Sequence, residues 1–262
     1  MSTIFEVKMI KSSAWVCVII FAFAAGSVQA QDFNGFYFGA NVGAAYGTTN
    51  ATTTTVFSPT GYFAMTSPGA IAIAGIQELK PTRFTGGAQA GFNHTTGIWV
   101  FGVETDIGSM HLNDTASKSG TYPCCAPTGF TVKYTENTDW LFTLRPRVGV
   151  THGHVLFYGT GGLAVTNFNF QMLFTDTFAT ANATNSFAEN VRGWAAGGGI
   201  EFKTSRHWSL KGEFLHLGFG SFTRVSTNLT AFSPPIPFPT NPFTTNFDLG
   251  ANAIRFGANY HF

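Results

Sequence analysis

Nine ionisable side chains stand out by their spacing: Glu104 and Asp106, Arg145 and Arg147, Glu201 and Lys203, Lys211 and Glu213, and Arg255. Members of each pair are two residues apart, which puts both on the same face of an extended chain. Four acids and five bases arranged in this way suit three kinds of chemistry. Paired carboxylates can act as general acid and base, the charges can line a path for ions, or they can neutralise one another in a closed interior. Catalysis is the weakest of the three. His111, Asp114, Glu136, Asp176 and Glu189 fall in long connecting segments without triad or metal spacing. His94, His152, His154, His207 and His261 fall at or near one rim, where imidazoles could bind metal or sense pH but more simply decorate polar turns. Cys124 and Cys125 are adjacent, a spacing unlike any zinc site. A vicinal disulfide, a link to another chain and two thiols without a role all stay open. No catalytic residue, cofactor or metal site is assigned.

The elements that must position these charges are eight alternating segments: 35–46, 83–93, 98–108, 139–150, 154–165, 192–203, 208–217 and 249–262. Each carries an apolar face, such as Phe36, Phe38 and Val42, or Ile254, Phe256, Tyr260 and Phe262. The opposite face is polar and holds all nine charges, together with Arg83 and Asp139. A strand reads like this when lipid lies on one side and a polar lumen on the other. The connections alternate in length. Residues 94–97, 151–153 and 204–207 are tight turns, whereas 47–82, 109–138, 166–191 and 218–248 are long loops. Short turns at one rim and long loops at the other, with both ends of the chain at the short rim, demand an even number of strands.

Residues 1–30 read as a cleaved secretory signal. Lys8 and Lys11 precede an uncharged apolar run over 14–25, and Val28-Gln29-Ala30 offers small residues before a cut. The mature domain is then 31–262. Only 10% of the chain is charged and 16% is aromatic, against about 25% charged in soluble domains. Loss of Lys8, Lys11 and Glu6 leaves twelve bases and twelve acids, a neutral balance that argues against nucleic acid as a partner.

Several blocks carry a resemblance, in order, over most of residues 33–262. They are Asn34-Gly-Phe-Tyr-Phe-Gly-Ala-Asn-Val-Gly43, Val100-Phe-Gly-Val-Glu-Thr-Asp106, Arg145-Pro-Arg147-Val-Gly149 after Trp140, Tyr158-Gly-Thr-Gly-Gly-Leu-Ala164, Gly197-Gly-Gly-Ile-Glu201 after Trp194, and the closing Ile-Arg-Phe-Gly-Ala-Asn-Tyr-His-Phe run. Together they resemble the small opacity-type surface-antigen barrels, often called porin-family proteins. The resemblance implies an all-β fold: an eight-stranded, antiparallel, up-and-down OmpA-like barrel in the outer membrane of a Gram-negative bacterium. It also implies that the barrel-assembly machinery reads the aromatic end of the last strand, Tyr260 and Phe262. Two positions depart from the pattern. Pro146 stands where a small residue is usual and should mark a bulge, and His216 stands where Tyr is common.

From these readings come the expectations for function. An eight-stranded barrel is just wide enough for side chains to fill it, so the nine charges should pair as a lumen plug in preference to a narrow diffusion channel. Trp99, Trp140, Trp194 and Trp208 should form an aromatic girdle at the lipid headgroups. The charge-poor loops, including Phe232-Ser-Pro-Pro-Ile-Pro-Phe-Pro239, should carry a structural or surface-interaction role. Their exposed aromatics would meet host or neighbouring-cell ligands, or lipopolysaccharide, while the wall meets outer-membrane lipid. A rim enzyme acting on lipid or peptide is the least favoured reading.

Overall fold

The computed structural model describes residues 33–262; the expected signal, 1–30, lies outside the described residues. Thirteen strands and one short helix follow in order among them. They are β1 (Gly35–Thr54), α1 (Ser67–Ala74), β2 (Gln77–Leu79), β3 (Thr82–Thr96), β4 (Trp99–Ser109), β5 (Asn113–Thr121), β6 (Gly129–Asn137), β7 (Trp140–His152), β8 (Val155–Asp176), β9 (Asn182–Lys203), β10 (Trp208–Ser226), β11 (Thr230–Ala231), β12 (Ile236–Pro237) and β13 (Phe243–His261).

Every pairing is antiparallel, and the long strands follow one another up and down. The path runs β1, β3, β4, β7, β8, β9, β10 and β13, and β13 pairs back onto β1. A sheet joined in this barrel-like way leaves these strands without a free edge. The short strands decorate the path: β2 lies on β1, the β5–β6 hairpin on β8, and β11–β12 on β9.

Alternation fixes which side chains face inward. In the first part of β1, Phe36, Phe38 and Val42 are exposed while Tyr37 and Asn41 are buried. The same phase continues along the strand, but the chemistry inverts. Beyond Tyr46 the outward residues are Thr48, Asn50, Thr52 and Thr54, and inward Ala51 joins a hydrophobic core beside the buried Thr49 and Thr53. On β8 that core receives Phe168, Phe170, Met172 and Phe174, and on β13 it receives Phe243, Phe247 and Leu249. Phe247 packs on Phe170 with ring centroids 4.4 Å apart. The strands that run on past this level, β1, β8, β9, β10 and β13, are therefore built in two parts, one apolar outside with polar or ionic groups inside, the other largely polar outside and joined to the hydrophobic core inside.

This second part revises the expected loops. Much of 47–82, 109–138, 166–191 and 218–248 is sheet, because Thr and Phe favour extended structure and the buried Phe face outweighs the weak strand preference of Asn. The Phe-Pro segment is also more ordered than a string of exposed aromatics. Phe243 and Asn241 are buried, and Asn241 donates to the Val56 carbonyl at 2.8 Å and accepts from the Tyr62 N–H at 2.5 Å. Only its tip, 232–237, is exposed throughout. Arg83 and Asp139, read as inward, are exposed as well. Both lie where the apolar wall ends, so water and neighbouring polar groups solvate them. Arg83 donates to the carbonyls of Thr82 and Asn113, at 2.8 and 3.1 Å, and Asp139 accepts from Asn137 at 3.1 Å.

No bulge forms at Pro146. Pairing of β7 with β8 lapses at Arg145 and Pro146, since proline offers no N–H, but Leu144↔Leu163 and Arg147↔Thr160 keep one register. The register shift lies instead at Gly218/Gly220 between β10 and β13, where Gly220 has φ +80°, a conformation that costs glycine little.

Candidate functional site

The first part of the barrel brings eight of the nine singled-out charges into one network. Adjacent strands supply them at the same height: Glu104 of β4 is paired in register with Arg145 of β7, and Glu213 of β10 with Arg255 of β13. Arg145 is the hub. Its guanidinium lies 2.9 Å from Glu104, 2.9 Å from Asp106 and 3.2 Å from Glu213. Arg147 reaches Glu201 at 3.1 Å and Glu104 at 3.4 Å. Lys211 donates to both oxygens of Glu104, at 2.7 and 2.9 Å, and Arg255 lies 2.9 Å from Asp106. Four carboxylates and four cations make the cluster neutral, and every member is 5% exposed or less. A buried charge left alone would cost several kcal/mol, so mutual pairing is the condition for placing any of them there.

Lys203 lies towards the short-turn end with its amine over the Phe33 ring, 5.2 Å from the centroid.

Neutral polar residues complete the network, and only their inward parity marks them in the sequence. Tyr37 donates to Glu104 at 2.8 Å and Tyr158 to Glu213 at 3.0 Å. The Arg147 guanidinium sits over the Tyr37 ring at 4.5 Å from its centroid, a contact between cation and π face. Asn93 accepts from Arg147 at 2.8 Å, Thr143 donates to Asp106, and Asn259 donates to Glu201 at 2.8 Å. Two glycines make room for the tyrosines. A Cβ at Gly91 would fall 2.2 Å from the Tyr37 hydroxyl, and one at Gly199 would fall 2.6 Å from that of Tyr158. The ring of each tyrosine therefore lies against bare backbone.

His261 lies at the short-turn end, where its backbone N–H donates to the His207 carbonyl at 2.7 Å, and its ring is buried in the lumen. Its Nε2 lies 2.9 Å from the Ser209 hydroxyl and 3.2 Å from Glu201, because His261 follows the inward parity of Arg255 and Asn259. The three residue types match a nucleophile relay, but the geometry does not. A relay needs the acid on one imidazole nitrogen and the serine on the other. Here both crowd Nε2, and Nδ1 has no hydrogen-bond partner among the described residues. Among the described residues no group of three or more His, Cys, Asp or Glu side chains is arranged to hold a metal ion.

The four tryptophans occupy two levels of the outer wall. Trp99 and Trp208 begin strands at the short-turn end, and each is about half exposed, at 50% and 51%. Ser109, ten residues along β4 from Trp99, is the register partner of Trp140; Gly218, ten residues along β10 from Trp208, is that of Trp194. At 3.3 Å per residue and a tilt near 40°, both intervals correspond to a height of about 25 Å. Tyr260 packs with Trp208 and Phe262 near the short-turn end, centroids 5.4 and 5.5 Å away.

Residues 15–262 match the family model described as outer membrane protein beta-barrel domain. The 31 kDa outer-membrane immunogenic proteins of Brucella melitensis and Brucella suis are each 27% identical over 194 residues, covering 72% of this chain and 71% of theirs. Among solved structures, the outer membrane protein OprG from Pseudomonas aeruginosa shows 12% identity and a TM-score of 0.42, over 90% of this chain and 100% of that one. The outer membrane protease OmpT from Escherichia coli shows 8% identity and a TM-score of 0.45, over 87% of this chain and 97% of that one.

Proposed function

Since the chain belongs to the outer membrane protein beta-barrel domain family and is an outer-membrane protein, we propose that its ring of eight long strands crosses the bilayer and carries a rigid, closed projection into the medium. The role is structural and surface-interacting, without catalysis and without conduction. One observation carries this reading: inward side chains fill the barrel along its whole length. Going from the short-turn end, Phe33 and His261 give way to the ionic network, then to the stacked phenylalanines around Phe247, then to Phe63 and Phe174. A wall filled in this way leaves its outer surface and its far end as the parts available to a partner.

The two tryptophan levels support a membrane-spanning band of about 25 Å, the height expected for such barrels. In this arrangement Trp99 and Trp208 meet the inner headgroups and Trp140 and Trp194 the outer ones, with lipid between. Above the band, β8 continues ten residues from Thr166 to Asp176, a rise of about 25 Å at the same tilt. That is enough to carry the far end through the saccharide layer of lipopolysaccharide towards host or neighbouring-cell ligands. Residues 1–30 direct export, and Tyr260 and Phe262 present the last strand to the assembly machinery. The Brucella relatives are called immunogenic, which accords with an exposed surface.

Two measurements test the proposal. In planar bilayers the purified barrel should give no steady single-channel current, and a large, steady conductance would overturn the plug. Cells producing the protein with 232–237 replaced by a short Gly-Ser turn should attach less well to host cells and neighbouring bacteria; attachment at the parent level would count against a role for that tip.

A further inference from the structure

At the far end of the projection, three connections meet around a cleft of about 160 Å³. Tyr62 and Phe63 come from the β1–α1 connection, Tyr122 and the Cys124–Cys125 disulfide from the β5–β6 turn, and Phe178 from the β8–β9 connection. We propose that this cleft binds a small quaternary ammonium group, the chemistry of a choline headgroup. The proposal deepens the surface-interaction reading by naming a ligand for the projection's tip.

Size, sign of charge and the occupied carboxylate each narrow the ligand. An apolar cavity of about 150 Å³ takes one six-membered ring or a group of that bulk. Aromatic rings attract cations through their faces, and several of them line this cleft. Behind them lies Asp176, the one carboxylate to which both tyrosine hydroxyls donate: Tyr62 at 2.5 Å and Tyr122 at 3.0 Å. Among the described residues no cationic side chain lies within ion-pair distance of Asp176, so its charge is uncompensated. That charge favours a cation and repels an anion.

The remaining question is which cation. Oδ2 of Asp176 is taken by the two tyrosines, and Oδ1 accepts from the Ala181 N–H at 2.8 Å and the Ala179 N–H at 3.4 Å. Burial and the shared carboxylate push the hydroxyl pKa values of Tyr62 and Tyr122 up, so both stay protonated and donating. A primary ammonium entering here would exchange its hydration for at most the hydroxyl oxygens of Tyr62, Tyr122 and Ser67, with the carboxylate already occupied. An alkylated ammonium has no N–H to satisfy and loses little. The disulfide holds the Cys124–Cys125 wall, itself closed by the Tyr122 N–H to Thr128 carbonyl bond at 3.0 Å.

The test uses the full mature barrel in a sugar-headgroup detergent, since choline detergents would compete. Choline is titrated by saturation-transfer NMR beside 3,3-dimethylbutan-1-ol, its neutral isostere. Choline should bind saturably and about ten-fold more tightly than the alcohol, the scale of a cation over aromatic faces. Asp176→Asn, which keeps the shape and one acceptor, should bring the two ligands to within two-fold, and Phe178→Ala should weaken choline at least five-fold. Heat-modifiable gel mobility checks that each variant is folded, and the exposed Phe178 ring leaves that variant free to fold. Equal binding of choline and the alcohol, unsaturable choline binding, or choline binding unchanged in both variants would each overturn the site. Because Phe232 packs on Tyr62 with centroids 6.1 Å apart, choline affinity is measured on the tip-replaced protein as well; attachment lost with choline affinity kept assigns attachment to the tip, and attachment kept while Phe178→Ala loses choline separates the cleft from the wider surface role.

Discussion

Replacing Arg145 with methionine removes the hub of the ionic network while keeping most of its bulk. The cost falls unevenly on the three carboxylates it touches. Glu104 keeps Lys211 at 2.7 Å and Arg147 at 3.4 Å, and Asp106 keeps Arg255 at 2.9 Å. Glu213 keeps only Lys211 at 3.9 Å and the Tyr158 hydroxyl at 3.0 Å. The variant therefore buries one net negative charge, centred on Glu213. Breaking a buried ion pair from one side costs about 3–5 kcal/mol, most of it the penalty of the stranded partner. Adding Glu213→Gln restores neutrality, with Glu104, Asp106 and Glu201 facing Arg147, Lys211 and Arg255. The double variant should recover about half of the loss or more, a coupling of roughly 2 kcal/mol. Urea unfolding of protein refolded into lipid vesicles, followed by tryptophan fluorescence, reads both numbers. A single variant within about 1 kcal/mol of the parent, or a second substitution that adds a further loss, would refute a network held by charge balance.

Three further outcomes follow from other parts of the wall. Glu136 of β6 is buried; burial, aided by Asp114 and partly offset by the Thr49 hydroxyl, pushes its pKa up to about 7 from 4.5. The folded chain then holds a proton that the unfolded chain releases, so this contribution is full below pH 4.5 and lost as pH rises to 7. The loss is about 3 kcal/mol, and Glu136→Gln should remove that slope when unfolding free energies at pH 4.5 and 7.5 are compared with the parent. Phe247→Ala takes away the ring that stacks on Phe170, Phe168, Phe187 and Phe222. It should cost about 3–5 kcal/mol and speed amide exchange in the upper halves of β8 and β13 first. Phe262→Ala removes a 74% exposed ring that supports no core; it should lower the folded fraction in outer membranes of producing cells while leaving refolding into vesicles unchanged.

The membrane-facing half was legible because two signals coincided there. A strict period of two separates Phe36, Phe38 and Val42 from Tyr37 and Asn41, and tight turns interrupt it at regular intervals. The upper half obeys the same period, with Phe168, Phe170, Met172 and Phe174 on one face and Asn167, Asn169, Gln171 and Thr175 on the other. It was read as loop because its Thr and Asn residues resemble turn chemistry when considered alone, and because the apolar face had changed sides. The charges of the network could be listed from parity, but their partners could not. Which carboxylate meets Arg145 depends on the stagger between β4, β7 and β10, which no single strand records. His261 sits at the short-turn end, and the parity it shares with Arg255 and Asn259 turns its ring into the lumen, where it meets Ser209 and Glu201.

The inversion within the strands that run on, β1, β8, β9, β10 and β13, has a physical cause in the change of surroundings at the level of Tyr46 and Trp194. Inside the bilayer the outer face must be apolar, and an equally apolar inner face would turn each segment into a continuous hydrophobic run. It would also gain nothing by closing, since lipid tails solvate apolar groups as well as a lumen does. A polar interior is the available alternative, and in a space this narrow it must balance its charges and saturate its donors, as Arg145, Glu104 and Lys211 do. Above the bilayer water bathes the wall, so burial of apolar area regains its full force, roughly 25 cal/mol per Å². The phenylalanines that would contribute nothing in the lower lumen become the main source of cohesion in the upper one. A rigid projection then needs no disulfide framework beyond the single Cys124–Cys125 bond at its tip, and the long connections are free to present a shaped surface instead of a flexible one.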